Sequence, residues 1–165
     1  MTYYPPLWFE ERLLECRRIA PVLDNVGALV WDCVVPAEWC PPGNKRDSLN
    51  WRDVHKMKEN LRSVMTRQAQ VSLRFNAHAH VGMRPVVTCY RYTPHRVDPR
   101  SNWDKFPVDL LTPYREVPIK GKRPRRSGLL GLIRDDSGDH IDLRAEWCKS
   151  KLGCVYVRVF SGAAS

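Results

Sequence analysis

Apolar residues recur at helical spacing in two segments of the chain. In residues 51–68, apolar side chains three and four positions apart fall on one stripe, and the charged side chains lie outside this stripe. The stripe consists of Val54, Met57, Leu61, Val64 and Met65. Residues 7–19 show a similar spacing after Pro5 and Pro6, which a first helical turn tolerates, and Pro21 ends the segment. The pattern predicts two helices, and we expect the helix over residues 51–68 to pack on a sheet through its stripe.

Runs of β-branched and aromatic residues predict the strands of that sheet. Residues 28–35 form one such run, and residues 86–92 form another. Residues 71–79 alternate apolar with polar positions, which is the period of a half-buried strand. Residues 154–160 alternate in the same way. We therefore predict an α/β fold in which the helix over residues 51–68 packs on these strands.

The second half of the chain is divided by prolines. Residues 93–128 contain six prolines and no sustained periodicity, so we expect an extended, proline-rich basic segment on the surface. Residues 129–134 and 140–144 flank the turn-forming sequence DDSGD, and this arrangement predicts a C-terminal β-hairpin. The predicted divisions are an N-terminal helix (1–25), an α/β core (26–95), the extended basic segment (96–128) and a C-terminal β unit (129–165).

Charge points to a polyanionic partner. The 165 residues carry 27 Lys and Arg against 18 Asp and Glu, a formal net charge of +9. Five cations fall within seven residues: Lys120, Lys122, Arg123, Arg125 and Arg126. Clustered cations release counterions when they meet a phosphate backbone, which makes RNA a natural partner. A solvated loop, or one paired with acidic groups, remains the alternative interpretation of this run.

Two histidines carry the sequence's one enzymatic hypothesis. Arg74, His78 and His80 are spaced to share one face of the predicted strand over residues 71–79 and its extension. Histidines separated by one residue can jointly bind a divalent metal, as in nucleases that use such a pair with a tyrosine nucleophile. The candidate tyrosines are Tyr90, Tyr92 and Tyr114. The alternative is a polar strand face that touches solvent or a partner, and we expect Arg74, His78 and His80 to belong to a binding surface.

The six cysteines allow a zinc hypothesis and a simpler one. Cys33, Cys40, Cys148 and Cys154 supply four soft ligands, but five or six residues separate the members of each pair, which is longer than the usual zinc knuckle. Cysteines in apolar strands behave as small buried hydrophobic residues. We expect free thiols and no cofactor, since the chain is long enough to fold without disulfides.

Familiar catalytic and membrane signatures are missing from the sequence. It has no glycine-rich phosphate loop, no Gly-x-Ser-x-Gly elbow and no Cys-x-x-Cys motif, which disfavours an ordinary hydrolase or kinase. No apolar run approaches the roughly 18 residues that cross a bilayer. These observations favour a protein that is not an enzyme and has no transmembrane segment.

The order of elements in residues 26–95 resembles a thioredoxin-like family shared by mitochondrial ribosomal proteins and a small accessory subunit of respiratory complex I. The similar parts are the helix that leads into residues 71–76 (VSLRFN) and the strand over residues 84–90 (RPVVTCY). The resemblance implies a small thioredoxin-like sheet and a non-catalytic subunit on the matrix side of mitochondria. It implies ribosomal RNA and neighbouring proteins as partners. A respiratory accessory subunit and the His-x-His nuclease remain alternatives.

Overall fold

Four α-helices and six strands make up the part of the chain that the computed structural model describes, residues 2–71 and 84–163. The helices are α1 (Pro6–Ile19), α2 (Gly43–Asp47), α3 (Trp51–Val71) and α4 (Lys105–Asp109). The strands are β1 (Leu29–Pro36), β2 (Val86–Thr93), β3 (Pro113–Ile119), β4 (Lys122–Leu130), β5 (Asp142–Lys149) and β6 (Cys154–Phe160). The predicted α/β class is confirmed.

Four strands form the main sheet in the order β1-β6-β2-β5. β6 runs antiparallel to both β1 and β2, whereas β5 runs parallel to β2. The strands predicted over residues 28–35, 86–92 and 154–160 are confirmed as β1, β2 and β6. All seven residues of β6 are buried, because β6 lies between two strands and both faces of the sheet are covered.

The strand predicted over residues 71–79 lies almost wholly outside the described residues. Its first residue, Val71, is the last residue of α3. The strand from the C-terminal part of the chain, β6, lies between β1 and β2. The sheet is thus completed from the segment that the sequence assigned to a separate C-terminal unit.

α3 packs on the main sheet through the predicted apolar stripe. Leu61 and Met65 are completely buried, and Val64 is nearly so. One turn later, the Gln68 side-chain amide donates to the Val34 carbonyl oxygen at 2.8 Å, and its oxygen accepts from the Val34 backbone N–H at 3.0 Å. Gln68 therefore pairs with the edge of β1 in the way that a neighbouring strand would.

α1 covers the sheet face that carries Asp32, Cys154 and Tyr156. The Cys16 and Cys154 sulfur atoms lie 3.7 Å apart in the core. The Arg17 guanidinium donates two hydrogen bonds of 2.7 Å to the Asp32 carboxylate, which also accepts from the Tyr156 hydroxyl at 2.7 Å. A buried carboxylate with three such donors is fully satisfied, so it fixes α1 on β1.

β3 and β4 pair as a separate two-stranded ribbon, which corrects the prediction of an extended segment without regular structure. A two-residue loop of Lys120 and Gly121 joins the strands, and Gly121 has a φ of +72°. Every residue of β3 is exposed. Prolines fit here because edge strands tolerate a residue that cannot donate to a ladder.

The prediction of a hairpin over residues 129–134 and 140–144 is wrong. Leu129 and Leu130 belong to β4, and β5 begins only at Asp142 and pairs with β2. The apolar residues between them, Leu132, Ile133 and Ile141, are buried in the core instead of pairing across the turn. A parallel pair needs a long crossover, and the chain between β2 and β5 supplies it through α4 and the ribbon.

No helix in residues 2–71 or 84–163 combines the length and the apolar character that a membrane span requires.

Candidate nucleic-acid interface

The β3–β4 ribbon concentrates positive charge on exposed backbone. It carries six cations and one carboxylate, Glu116, and all seven of these side chains are exposed. The cations are Arg115, Lys120, Lys122, Arg123, Arg125 and Arg126. Five of them were predicted, and the structure presents them together. Arg115 was missed because it stands apart from the run in sequence, and only the strand pairing brings it opposite Ser127.

Cations occupy both faces of the ribbon. Arg125 and Arg126 are consecutive, so they point to opposite faces. Arg126 lies opposite Glu116 across the ribbon, while Arg125 lies opposite Val117. A narrow ribbon with cations on both faces can be approached by phosphates from either side.

The positive surface continues from the ribbon onto α3 and α4. Burial lowers the pKa of Lys58, and the nearby cations Arg125, Lys105 and Arg46 lower it further, although Asp109 opposes them. The Lys58 ammonium lies 4.8 Å from the centre of the Phe106 ring. This crowding of like charge is relieved when an anion binds.

The base of the ribbon is fixed to the rest of the protein. Arg62 of α3 donates to the Gly128 carbonyl oxygen at 2.7 Å. Gly128 has a φ of +67°, and a Cβ there would lie 2.0 Å from the Pro113 carbonyl oxygen, so only glycine fits. The Leu129 backbone N–H donates to Thr112 at 2.8 Å. The ribbon is therefore held at a defined position beside α3.

An open groove of about 510 Å³ separates α3 from the ribbon. Its charged lining consists of Arg62, Arg67, Arg126 and Glu59, and Tyr114 of β3 forms part of its wall. The Arg62 Nε atom lies 3.6 Å from a Glu59 carboxylate oxygen. The exposed Arg67 and Arg126 have no such ion pair among the described residues, so the groove keeps an excess of positive charge.

An acidic pair lies close to the base of the ribbon. Burial raises the pKa of Asp109, Lys105 lowers it, and the neighbouring carboxyl of Asp136 raises it again. No sequence pattern indicates this pair, because Asp136 belongs to a turn-forming run and Asp109 is far from it in the chain. Within residues 2–71 and 84–163, no group of three or more His, Cys, Asp or Glu side chains is arranged to hold a metal ion.

The residues of the His-x-His hypothesis are only partly described. Arg74, His78 and His80 lie outside the described residues. Tyr90 and Tyr92 are buried in the main sheet, and the Tyr92 hydroxyl has no hydrogen-bond partner among the described residues. Tyr114 is exposed, and its hydroxyl donates to Glu116 at 2.6 Å.

The four cysteines of the zinc hypothesis do not come together. Cys33 lies opposite Val157 in the sheet, whereas Cys154 belongs to the alternate set of β6 residues and points to the other face. Cys148 lies on β5, two strands away from Cys154. Burial raises the pKa of Cys40 to about 12 and that of Cys33 well above its usual value. All six cysteines are free thiols.

No protein-family model matches the chain, and no curated protein matches it. The candidate interface consists of the ribbon, the groove beside it and the acidic pair at its base.

Proposed function

We propose that this protein is a non-catalytic structural subunit of a large mitochondrial assembly, a mitochondrial ribosomal protein that contacts ribosomal RNA and neighbouring proteins. One observation carries the RNA contact, namely an exposed ribbon with six cations and a single carboxylate. The thioredoxin-like resemblance of residues 26–95 adds the compartment and the type of assembly to the proposal.

The ribbon is suited to a phosphate backbone for a physical reason. Its cations are held at strand spacing, and none of them forms an ion pair with another described residue, although Arg126 lies opposite Glu116 in the register. Arginine can donate two hydrogen bonds to one phosphate group. Each neutralised phosphate releases counterions, so the affinity should depend strongly on salt.

The test is the salt dependence of RNA binding by the whole protein. Replacing Lys120, Lys122, Arg123, Arg125 and Arg126 by Gln should flatten the slope of log affinity against log salt by about three to four if most of the five contact RNA, since each contact contributes roughly 0.7 to 0.9. A matched variant replaces five exposed cations outside the ribbon by Gln: Arg52, Arg96, Arg134, Lys149 and Lys151. It has the same net charge and should keep most of the slope.

Two outcomes would count against the proposal. If both variants lose the same slope, net charge and not the ribbon drives binding. If the native assembly purifies with respiratory subunits and without RNA, the accessory subunit of a respiratory complex replaces the ribosomal protein. In that case the basic surface would face acidic proteins or lipid headgroups.

A metal-dependent nuclease is the second candidate function, and the acidic pair favours it. Asp109 ends α4, four residues before the ribbon begins, and the carboxyl of Asp136 lies beside it. Mg²⁺ in proteins is often bound by one or two carboxylates, with water and substrate phosphates completing its shell. A nucleic acid held by the ribbon would bring phosphates close to such an ion.

Asp109→Asn separates the two candidates. The pKa of Asp109 is raised in the folded protein, so ionisation of Asp109 disfavours the folded state. The stability that the protonated carboxyl contributes is lost as the pH rises through this raised pKa. The variant should therefore be more stable than the wild type at pH 7 without metal. If the nuclease is correct, Mg²⁺ or Mn²⁺ raises the melting temperature of the wild type only, and strand cleavage is lost in the variant. No cleavage and no metal effect on the wild type would exclude this site.

A further inference from the structure

Tyr114 is an aromatic side chain held in place on a positively charged surface. Its side chain is 49 % exposed, although it lies beside Pro113 at the anchored end of the ribbon. The hydroxyl donates to Glu116 Oε1 at 2.6 Å, which restricts the ring. A large exposed ring with a fixed orientation loses little conformational entropy when a planar ligand stacks on it.

The groove beside Tyr114 supplies the other groups that a nucleotide needs. Arg67 of α3 and Arg126 of β4 line the groove from opposite sides, and both are exposed. Thr66 and Gln70 add groups that can donate and accept hydrogen bonds. The volume of about 510 Å³ is within the roughly 300 to 1,000 Å³ that small-molecule sites occupy.

Arg62 is a structural member of the groove. Its side chain is 14 % exposed, with one bond to Gly128 and a contact with Glu59. It fixes the distance between α3 and the ribbon, so the spacing of Arg67, Tyr114 and Arg126 is set before any ligand arrives. Preorganisation of this kind favours binding, because the groups need not be ordered by the ligand.

We propose that this groove binds an unpaired nucleotide of a single strand, with the base stacked on Tyr114 and the phosphate held between Arg67 and Arg126. The inference deepens the nucleic-acid binding proposed above and rests on it. Stacking on an aromatic side chain tolerates any base, because every base has a π face. Bases inside a duplex are already stacked on each other, so a continuous duplex has no base to offer Tyr114.

The test measures the affinity of the whole protein for a short single-stranded RNA and for the same sequence as a blunt duplex. Tyr114→Leu should weaken single-strand binding by about tenfold, the size expected for one lost base stack. It should leave duplex binding unchanged, because duplex binding depends on the cations. Tyr114→Phe and Tyr114→Trp keep a ring and should retain single-strand affinity.

The groove cations have their own variant and matched control. Arg67→Gln should weaken single-strand binding and reduce the salt slope by about 0.7, the value for one contact in single strands. Arg52→Gln changes an exposed arginine near the other end of α3 and should have a much smaller effect. A nucleoside monophosphate distinguishes a free nucleotide from a strand as the ligand. If it binds as tightly as the oligonucleotide, the assignment to a strand is overturned.

Failure of this inference differs from failure of the proposed function. A variant with Lys120, Lys122, Arg123 and Arg125 replaced by Gln keeps Arg126 and hence the groove. If that variant loses RNA affinity while Tyr114→Leu does not, the ribbon binds RNA and the groove assignment is wrong. If the wild type binds neither single-stranded nor duplex RNA, both are wrong. Equal losses for Tyr114→Leu and Tyr114→Phe would also overturn the stacking role.

Discussion

β6 and β3 are strands of the same length with opposite surroundings. All seven residues of β6 are buried between two strands and two covered faces, whereas all seven residues of β3 are exposed. β6 exists because its burial removes apolar surface from water. β3 exists because it pairs with β4 and because its base is anchored at Gly128 and Thr112.

The comparison separates two kinds of residue in this protein. Substitutions in the main sheet and its helices should change the free energy of unfolding, since they remove packing. Substitutions at the ribbon's exposed positions should change binding and leave stability almost unaltered.

Leu61→Ala should have the largest effect. Leu61 is completely buried on the stripe of α3, so truncation removes transfer free energy and leaves a cavity. The expected loss is about 2 to 5 kcal/mol in the free energy of unfolding, measured by urea denaturation. Val117→Ala, on the exposed ribbon, is the matched control and should stay within about 0.5 kcal/mol. Equal losses at the two positions would contradict the separation.

Asp32→Ala should have an intermediate effect. The change leaves the buried Tyr156 hydroxyl without its acceptor, while the half-exposed Arg17 can return to water. An unsatisfied buried hydroxyl costs about 1 to 3 kcal/mol. In a Tyr156→Phe background the hydroxyl is gone, so Asp32→Ala should cost clearly less. A double-mutant cycle measures the difference, and additive losses would show that the hydrogen bond contributes little.

The local elements of the main sheet could be predicted from the sequence because their apolar patterns report burial. β1, α1, α3, β2 and β6 all have runs or stripes that face the core. Strand neighbours could not be predicted, because pairing depends on contacts between distant segments. No local sequence pattern indicates the parallel pairing of β5 with β2. The apolar residues Leu132 and Ile133 were assigned to a hairpin strand, although they are buried in the core outside any strand.

The ribbon could not be predicted, because its strands are largely exposed and their sequence therefore shows no pattern of burial. Neither face of β3 is buried, so its sequence has no apolar period to recognise. The one local signal was Lys120-Gly121, a two-residue connection whose glycine allows a positive φ. The basic run itself was predicted from charge alone. Tyr114 as part of the groove, and Asp109 beside Asp136, needed the fold to bring distant residues together.

Replacing Lys120, Lys122, Arg123, Arg125 and Arg126 by Gln should have the smallest effect on stability. All five side chains are exposed, and each substitution should change the free energy of unfolding by no more than about 0.5 kcal/mol. The attraction between Arg126 and Glu116, which lie opposite each other without forming an ion pair, is lost, but the repulsion among the five replaced cations is lost with it. Because salt screens that repulsion, added salt should stabilise the wild type more than the variant. A total loss comparable to that of Leu61→Ala would show that the five cations stabilise the fold through internal interactions. That result would contradict the view that they are available to bind RNA.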